Sequence, residues 1–275
     1  MSDLVSSTLA SGGCHLYSGC GFPAPGTEIF EFNPIAQYKF LGVEFIINKP
    51  MLVVIMCAAL VIIFFTVAFA KPRLIPGKVQ GIGEMGYMFV RDQISRETIG
   101  REGDKFLPFL VSLFFFVFFM NVMGIVPGMQ FPPTALFVMP VSLAIMVWLT
   151  YMFIGMRKQG PIKFFTNMMF PPGVPAPVLI ILAPIEFLSN VIIRPFTLAI
   201  RLMANMFAGH LLLTVFIVAS IYLFSFSVIG LLGSTASFLM TVIMTGFEFM
   251  IEALQAYIFT LLTASYIAGS LSHEH

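Results

Sequence analysis

The sequence predicts an all-α, polytopic membrane protein, and three observations carry that reading. Of 275 residues only 14 are Lys or Arg and 13 are Asp or Glu, while 59% are hydrophobic and the mean hydropathy is +0.97. A soluble domain carries about 25% charge, and the 10% found here is too little to solvate a globule of this size. Secondly, long windows hold no ionisable residue, and a spanning helix needs about 20 apolar residues. Helices are the required form, because unpaired backbone groups are costly in lipid. Thirdly, the last third places its few charges inside apolar sequence, where each costs roughly 2.5–3.5 kcal/mol on insertion scales. A net charge of +1 gives no basic excess for phosphate, which argues against nucleic acid as a partner.

Residues 1–48 form an outer-side N-terminal segment in this reading. They lack a basic region followed by an apolar core and are therefore not expected to be a cleaved signal peptide. They are turn-rich, with Gly12-Gly13, Pro23 and Pro25-Gly26. Cys14 and Cys20 are open to pairing or to remaining free thiols on the oxidising side. His15 beside Cys14 makes two candidate ligands, too few for a metal site. Residues 49–163 hold three upright spans. The first is Pro50–Ala70, bracketed by Lys49 and Lys71, with Cys57 packed inside it. The charge-free stretch from Phe106 to Met156 is broken by Pro127-Gly128 and Pro132-Pro133, giving spans at Phe106–Val126 and Thr134–Met156.

The short-loop balance of Lys and Arg sets orientation. Lys71, Arg73, Lys78, Arg91, Arg96, Arg101 and Lys105 crowd one loop, and Arg157, Lys158 and Lys163 follow the third span. The Pro127–Pro133 loop has none, so the basic loops are cytoplasmic and the N-terminus lies outside. Within the first basic loop, Val79, Ile82, Met85 and Phe89 share a helical spacing, opposite Glu84, Arg91 and Asp92. That suits an interfacial amphipathic helix, and equally a packed surface helix. No Gly-rich phosphate loop or His-Glu-x-x-His zinc motif is present. No cofactor is expected.

From Phe164 to His275 only Glu186, Arg194, Arg201, Glu248, Glu252 and Glu274 are charged. A first helix is predicted at about Ala176 to Phe224, kinked at Pro184 and Pro195. At 100° per residue Asn190, Arg194, Arg201 and Asn205 fall in one stripe. Arg201 has no acid three or four residues away and stays protonated, so its partner comes from another helix or another chain. A fixed ion pair with Glu248 or Glu252 is the bland alternative. His210 projects from nearly the opposite side, and its chemistry suits proton relay and packing equally. A final helix is predicted at about Ala236 to Gly269, after a tight turn near Ser225–Gly233. Thr241, Thr245, Glu248, Glu252 and Gln255 form its polar stripe. Interhelical hydrogen bonds would explain such a stripe, but a pair of carboxylates fits the wall of a hydrated path better.

The run Arg194-Pro-Phe-Thr-Leu-Ala-Ile-Arg-Leu-Met-Ala-Asn-Met-Phe-Ala-Gly-His-Leu-Leu-Leu resembles the signature of subunit a of F-type ATP synthases. Glu248 with Glu252-Ala-Leu-Gln-Ala-Tyr-Ile-Phe-Thr-Leu-Leu, and Lys71-Pro-Arg-Leu-Ile-Pro-Gly-Lys after the first span, extend the resemblance over most of the chain. It implies a multi-pass stator subunit of the bacterial plasma membrane, beside a rotating c-ring and held by b-type peripheral stalk subunits. Arg201 matches the family's essential arginine, Asn205 the polar residue beside it, and Gln255 the glutamine near the arginine. His210 and Glu248 match the two paired positions of a half-channel. Glu252 joins them by its place in the stripe, and Arg194 and Asn190 are supporting residues, with snorkelling as the other reading of Arg194.

The family fold implies that the C-terminal pair in residues 164–275 is long and strongly tilted, and that the C-terminus is cytoplasmic. The expected activity is proton translocation, with no nucleotide chemistry in this chain. Sodium coupling in the same fold, an antiporter-like subunit of a redox complex and an inert membrane scaffold are the alternatives. Such antiporter subunits pair intramembrane Lys with Glu, whereas no Lys follows Lys163 here. His210 favours the proton, since imidazole is a poor sodium ligand.

Overall fold

The computed structural model describes residues 22, 36–40, 43–126, 131–170, 176–225 and 227–271. Cys14, His15, Cys20, Glu274 and the Pro127-Gly128 break lie outside the described residues. The described chain is helical throughout its membrane part, preceded by a short antiparallel hairpin. Strands β1 (Ala36–Phe40) and β2 (Val43–Ile47) pair with Ala36 opposite Ile47 and Phe40 opposite Val43. The sequence reading had only a turn-rich segment there.

Helix α1 (Lys49–Phe69) matches the first predicted span within a residue at each end. The basic loop then folds into α2 (Lys78–Phe89), a π-helical turn Val90–Arg96 and a short 3-10 turn Arg101–Lys105. Helix α3 (Leu107–Val122) has 16 residues, about 24 Å at 1.5 Å per residue, and is shorter than the predicted Phe106–Val126 because its last turn unwinds before Val126. Helix α4 (Val138–Gln159) and helix α5 (Pro161–Met169) meet at Gly160, whose φ of 85° turns the chain. Helix α6 (Ala176–Leu188) runs through a π-helical turn, Ser189–Ile193, into α7 (Arg194–Tyr222). Helix α8 (Val228–Leu271) completes the chain. Four helical stretches among the described residues are long and apolar enough to cross a membrane: α1, α4, Leu182–Tyr222 and α8.

The predicted turn Ser225–Gly233 is a correction. The turn is shorter and α8 starts at Val228, because the Ser227 hydroxyl accepts a hydrogen bond from the Gly230 N–H at 3.1 Å and caps the new helix. Gly230 and Gly233 are helical residues. A Cβ on Gly230 would collide with Ser225 and stand 2.9 Å from the Leu223 carbonyl, so the glycine permits the tight reversal. Ser234 then donates to the Ser220 carbonyl at 2.7 Å and ties the two helices together.

Contacts gather the chain into two compact units, each drawn from separated stretches. The first comprises residues up to Met56, Met120–Leu136 and Ala204–Leu254; the second comprises Cys57–Phe119, Phe137–Met203 and Gln255 onward. In the second unit α2 turns its small residues inward. Cβ atoms at Gly83 and Gly86 would run into Ala68 and the Phe115 ring. Val79, Ile82 and Met85 are exposed, Met85 by 71%, while the half-exposed Phe89 sets its ring 5.8 Å from both Phe114 and Tyr257. The start of the stripe is thus open to an interface and its end is packed on the protein. Gln80 staples its start, exchanging hydrogen bonds with the backbone of Arg73 at 3.0 and 3.1 Å. Further along, Arg96 holds Asp104 through two hydrogen bonds of 2.9 and 3.1 Å, and Arg91 holds Asp92. These contacts lower the pKa of both carboxyls, so the pairs support the loop above the ordinary Asp range and loosen as pH falls through the lowered values.

Helices α4 and α5 close on each other at Gly155, where a Cβ would enter the buried Phe164 ring. Gly155→Ala is expected to cost about 1–3 kcal/mol by overpacking, read as a lower midpoint of thermal unfolding in detergent. Adding Phe164→Leu should recover part of the loss.

Candidate functional site

The polar residues of the C-terminal helices divide between the two units. Asn205, His210, Glu248 and Glu252 belong to the first, and Asn190, Arg194, Arg201 and Gln255 to the second.

In the first unit one face of α7 is buried through Met206 and His210, the imidazole at 2% exposure. Four-residue spacing puts these side chains on one line. Thr214 donates to the His210 carbonyl at 2.7 Å, and Phe131 presents a perpendicular ring 6.4 Å from the imidazole. Glu248 approaches α7 at the preceding residue: a Cβ on Gly209 would lie 3.2 Å from its carboxylate Oε1. Glycine at the position before His210 therefore lets a carboxyl come against the helix. Glu248 is 5% exposed and Glu252 is fully buried. Asn205 is half-buried.

Among the described residues, none of the four carboxylate oxygens of Glu248 and Glu252 has a hydrogen-bond partner. The hydroxyls of the same helix behave differently. Thr241, Thr245, Thr260 and Thr263 each donate to the carbonyl four residues back, at 2.8–3.0 Å. They bond their own helix, so the stripe is not held together by interhelical hydroxyl bonds. Its acids are left as acceptors for water or a transferred proton.

A buried chain of amide and hydroxyl reaches the backbone at Glu252. Thr134 donates to the side-chain oxygen of Asn121 at 2.8 Å, and the Asn121 amide donates to the Glu252 carbonyl at 3.3 Å. Both residues are fully buried. The sequence reading passed over them, although Asn121 is the lone side-chain amide between Phe106 and Val126. An amide in lipid needs a partner, and that was the available signal.

In the second unit Arg201 stands exposed on α7, beside the buried Leu198, Ala199 and Leu202. It has no ion-pair partner among the described residues. Arg194 is half-buried, with its guanidinium 5.3 Å from the Tyr266 ring centroid, a cation–π contact. That ring gives Arg194 a partner within the protein. Tyr266 in turn lies 5.6 Å from Tyr151. Gln255 is buried at 6%.

Asn190 departs from the expected stripe. A straight α-helix would align it with Arg194 and Arg201, but the π-helical turn Ser189–Ile193 adds a residue to one turn and shifts the phase. Asn190 is buried, and its amide bonds the Glu186 carbonyl at 2.8 Å and carboxylate at 3.3 Å.

Known proteins resemble this chain along nearly its whole length. A family model described as the ATP synthase A chain matches residues 51–268. ATP synthase subunit a of Streptomyces lividans is 46% identical over 95% of this chain and 92% of its own. The subunit a of Frankia alni is 41% identical over 93% and 88% of the two chains. That of a Nocardioides species is 36% identical over 98% and 100%. With the polar stripes and the spanning helices already in view, these matches establish that the chain belongs to the ATP synthase subunit a family.

Proposed function

We propose that this chain is the proton-translocating stator subunit of a rotary ATP synthase, working against a c-ring. The observation that carries the reading is the contrast between its intramembrane charges. Arg201 is exposed on an apolar helix, whereas Glu248 and Glu252 are buried with no hydrogen-bond partner for their carboxylates among the described residues. A permanent cation at a surface meets an anion on another chain, and buried acids in a row pass protons.

Protons enter from the outer side past His210, Glu248 and Glu252 and neutralise a ring carboxylate. The neutral site turns into lipid at little electrostatic cost. After nearly a full rotation it meets Arg201, which stabilises the ionised carboxylate, and the proton leaves to the cytoplasm. Asn205 and Gln255 supply hydrogen-bonding groups near the exchange, and Arg194 and Asn190 support the arginine helix. Arg201 also blocks a direct passage between the two aqueous paths. One charge crossing 100 mV yields about 2.3 kcal/mol, and a leak would dissipate it. The b-type stalk holds the chain against rotation, with its N-terminus outside and its C-terminus in the cytoplasm. Helices α7 and α8 have 29 and 44 residues and exceed the roughly 20 that span a bilayer upright, which supports a strong tilt.

In proteoliposomes holding the whole complex, Arg201→Ala is expected to abolish ATP synthesis and to let protons leak passively. Normal ATP-driven pumping by that variant would sink the assignment. Glu248→Gln and Glu252→Gln keep the shape but cannot titrate, and each should slow pumping by at least about tenfold. Added sodium should leave the wild-type rate unchanged, and a sodium-dependent rate would replace the proton with sodium.

A further inference from the structure

The π-helical turn before Arg194 has a backbone defect with an identifiable cause. In an α-helix the Asn190 carbonyl would accept from the N–H four residues on, which is that of Arg194. Here the Arg194 N–H bonds the Ser189 carbonyl, five residues back. The wider turn would offer the Asn190 carbonyl the next N–H, that of residue 195. This residue is Pro195, which has none. The Asn190 carbonyl is thus skipped by both ladders, in a residue only 7% exposed. An orphan of this kind is costly when buried.

The missing donor comes from another helix. The Tyr151 hydroxyl, on α4, donates to the Asn190 carbonyl at 2.7 Å. Tyr151 is itself 3% exposed, and its ring lies against Tyr266, over which Arg194 sits. One tyrosine therefore touches both the free carbonyl of the π turn and the ring that holds the first arginine after it.

We propose that Tyr151 is a positioning residue for the arginine helix: its hydroxyl satisfies the carbonyl that Pro195 leaves without a donor, and so locks the π turn that sets the rotational phase of Arg194 and Arg201. The extra residue in that turn displaces everything after it by about 100° relative to a plain α-helix. Without the lock the turn is free to migrate or close, and Arg201 no longer presents a single direction. The inference rests on the reading of Arg201 as the ring-facing cation.

The test is a double-variant cycle on the whole complex in proteoliposomes, with pumping per assembled complex as the readout. Tyr151→Phe keeps the ring contact with Tyr266 and removes only the hydroxyl, and it should lower ATP-driven pumping about tenfold. Pro195→Ala restores an N–H five residues after Asn190, the donor that a π turn uses. The combined Tyr151→Phe and Pro195→Ala variant should therefore pump several-fold faster than Tyr151→Phe alone. A packing role for Tyr151 predicts no such rescue. If Tyr151→Phe does not assemble, recovery of assembly by Pro195→Ala becomes the readout, and no recovery overturns the proposal. So does wild-type pumping by Tyr151→Phe. Arg201→Ala is run alongside: normal pumping there would remove the reading of Arg201, whatever Tyr151 does.

Discussion

Lipid offers no hydrogen bonds, so every polar atom at membrane depth has to be satisfied by protein, by a wetted path or by the task it performs. The architecture follows from how each group meets that demand. Backbone groups meet it by forming helices, and threonine hydroxyls by bonding the carbonyl one turn back on their own helix. Asn121 meets it by joining Thr134 to the Glu252 carbonyl. The carboxylates of Glu248 and Glu252 find no such partner among the described residues. Two neighbouring acids left in that condition on one helix are the exception to this pattern.

The same demand explains the irregular backbone. Pro195 removes a donor where helix α7 begins, and the chain responds by widening a turn and borrowing the Tyr151 hydroxyl. A defect in the helix thereby becomes a fixed change of phase before Arg194 and Arg201. Glycine plays a parallel part by allowing close approach. Gly209 admits the Glu248 carboxyl against α7, and Gly83 and Gly86 bring α2 onto Ala68 and Phe115. In each case a small or donor-poor residue costs some local helix stability, and contact with another element compensates for it.

Much of the helical layout was legible because its signals are local. Charge-free windows bounded by Lys49, Lys71 and Arg157 placed α1 and α4 to within a few residues. Structure and sequence part where two local signals compete. A tight turn near Ser225–Gly233 is expected, but the Ser227 cap lets the helix begin at Val228. Asn190 shares the arginine stripe only at 3.6 residues per turn, and the π turn breaks that count. The β1–β2 hairpin carried no signal strong enough to separate it from the turns around it.

Taken alone, the sequence determined that this is a membrane protein and that its last third puts Arg201, His210, Glu248 and Glu252 in apolar helices, because composition and spacing are properties of neighbouring residues. The run from Arg194 to Leu213 also carried the family, which the relatives then established. Only the tertiary structure decided which polar groups are buried and which face outward: Glu252 is enclosed and Arg201 is exposed. It alone showed that Tyr151, 39 residues before Asn190, completes the turn leading into the arginine helix. That division has a physical cause. A helix is written by residues within a turn of one another, whereas the partner of an orphaned carbonyl is whichever side chain folding brings to it.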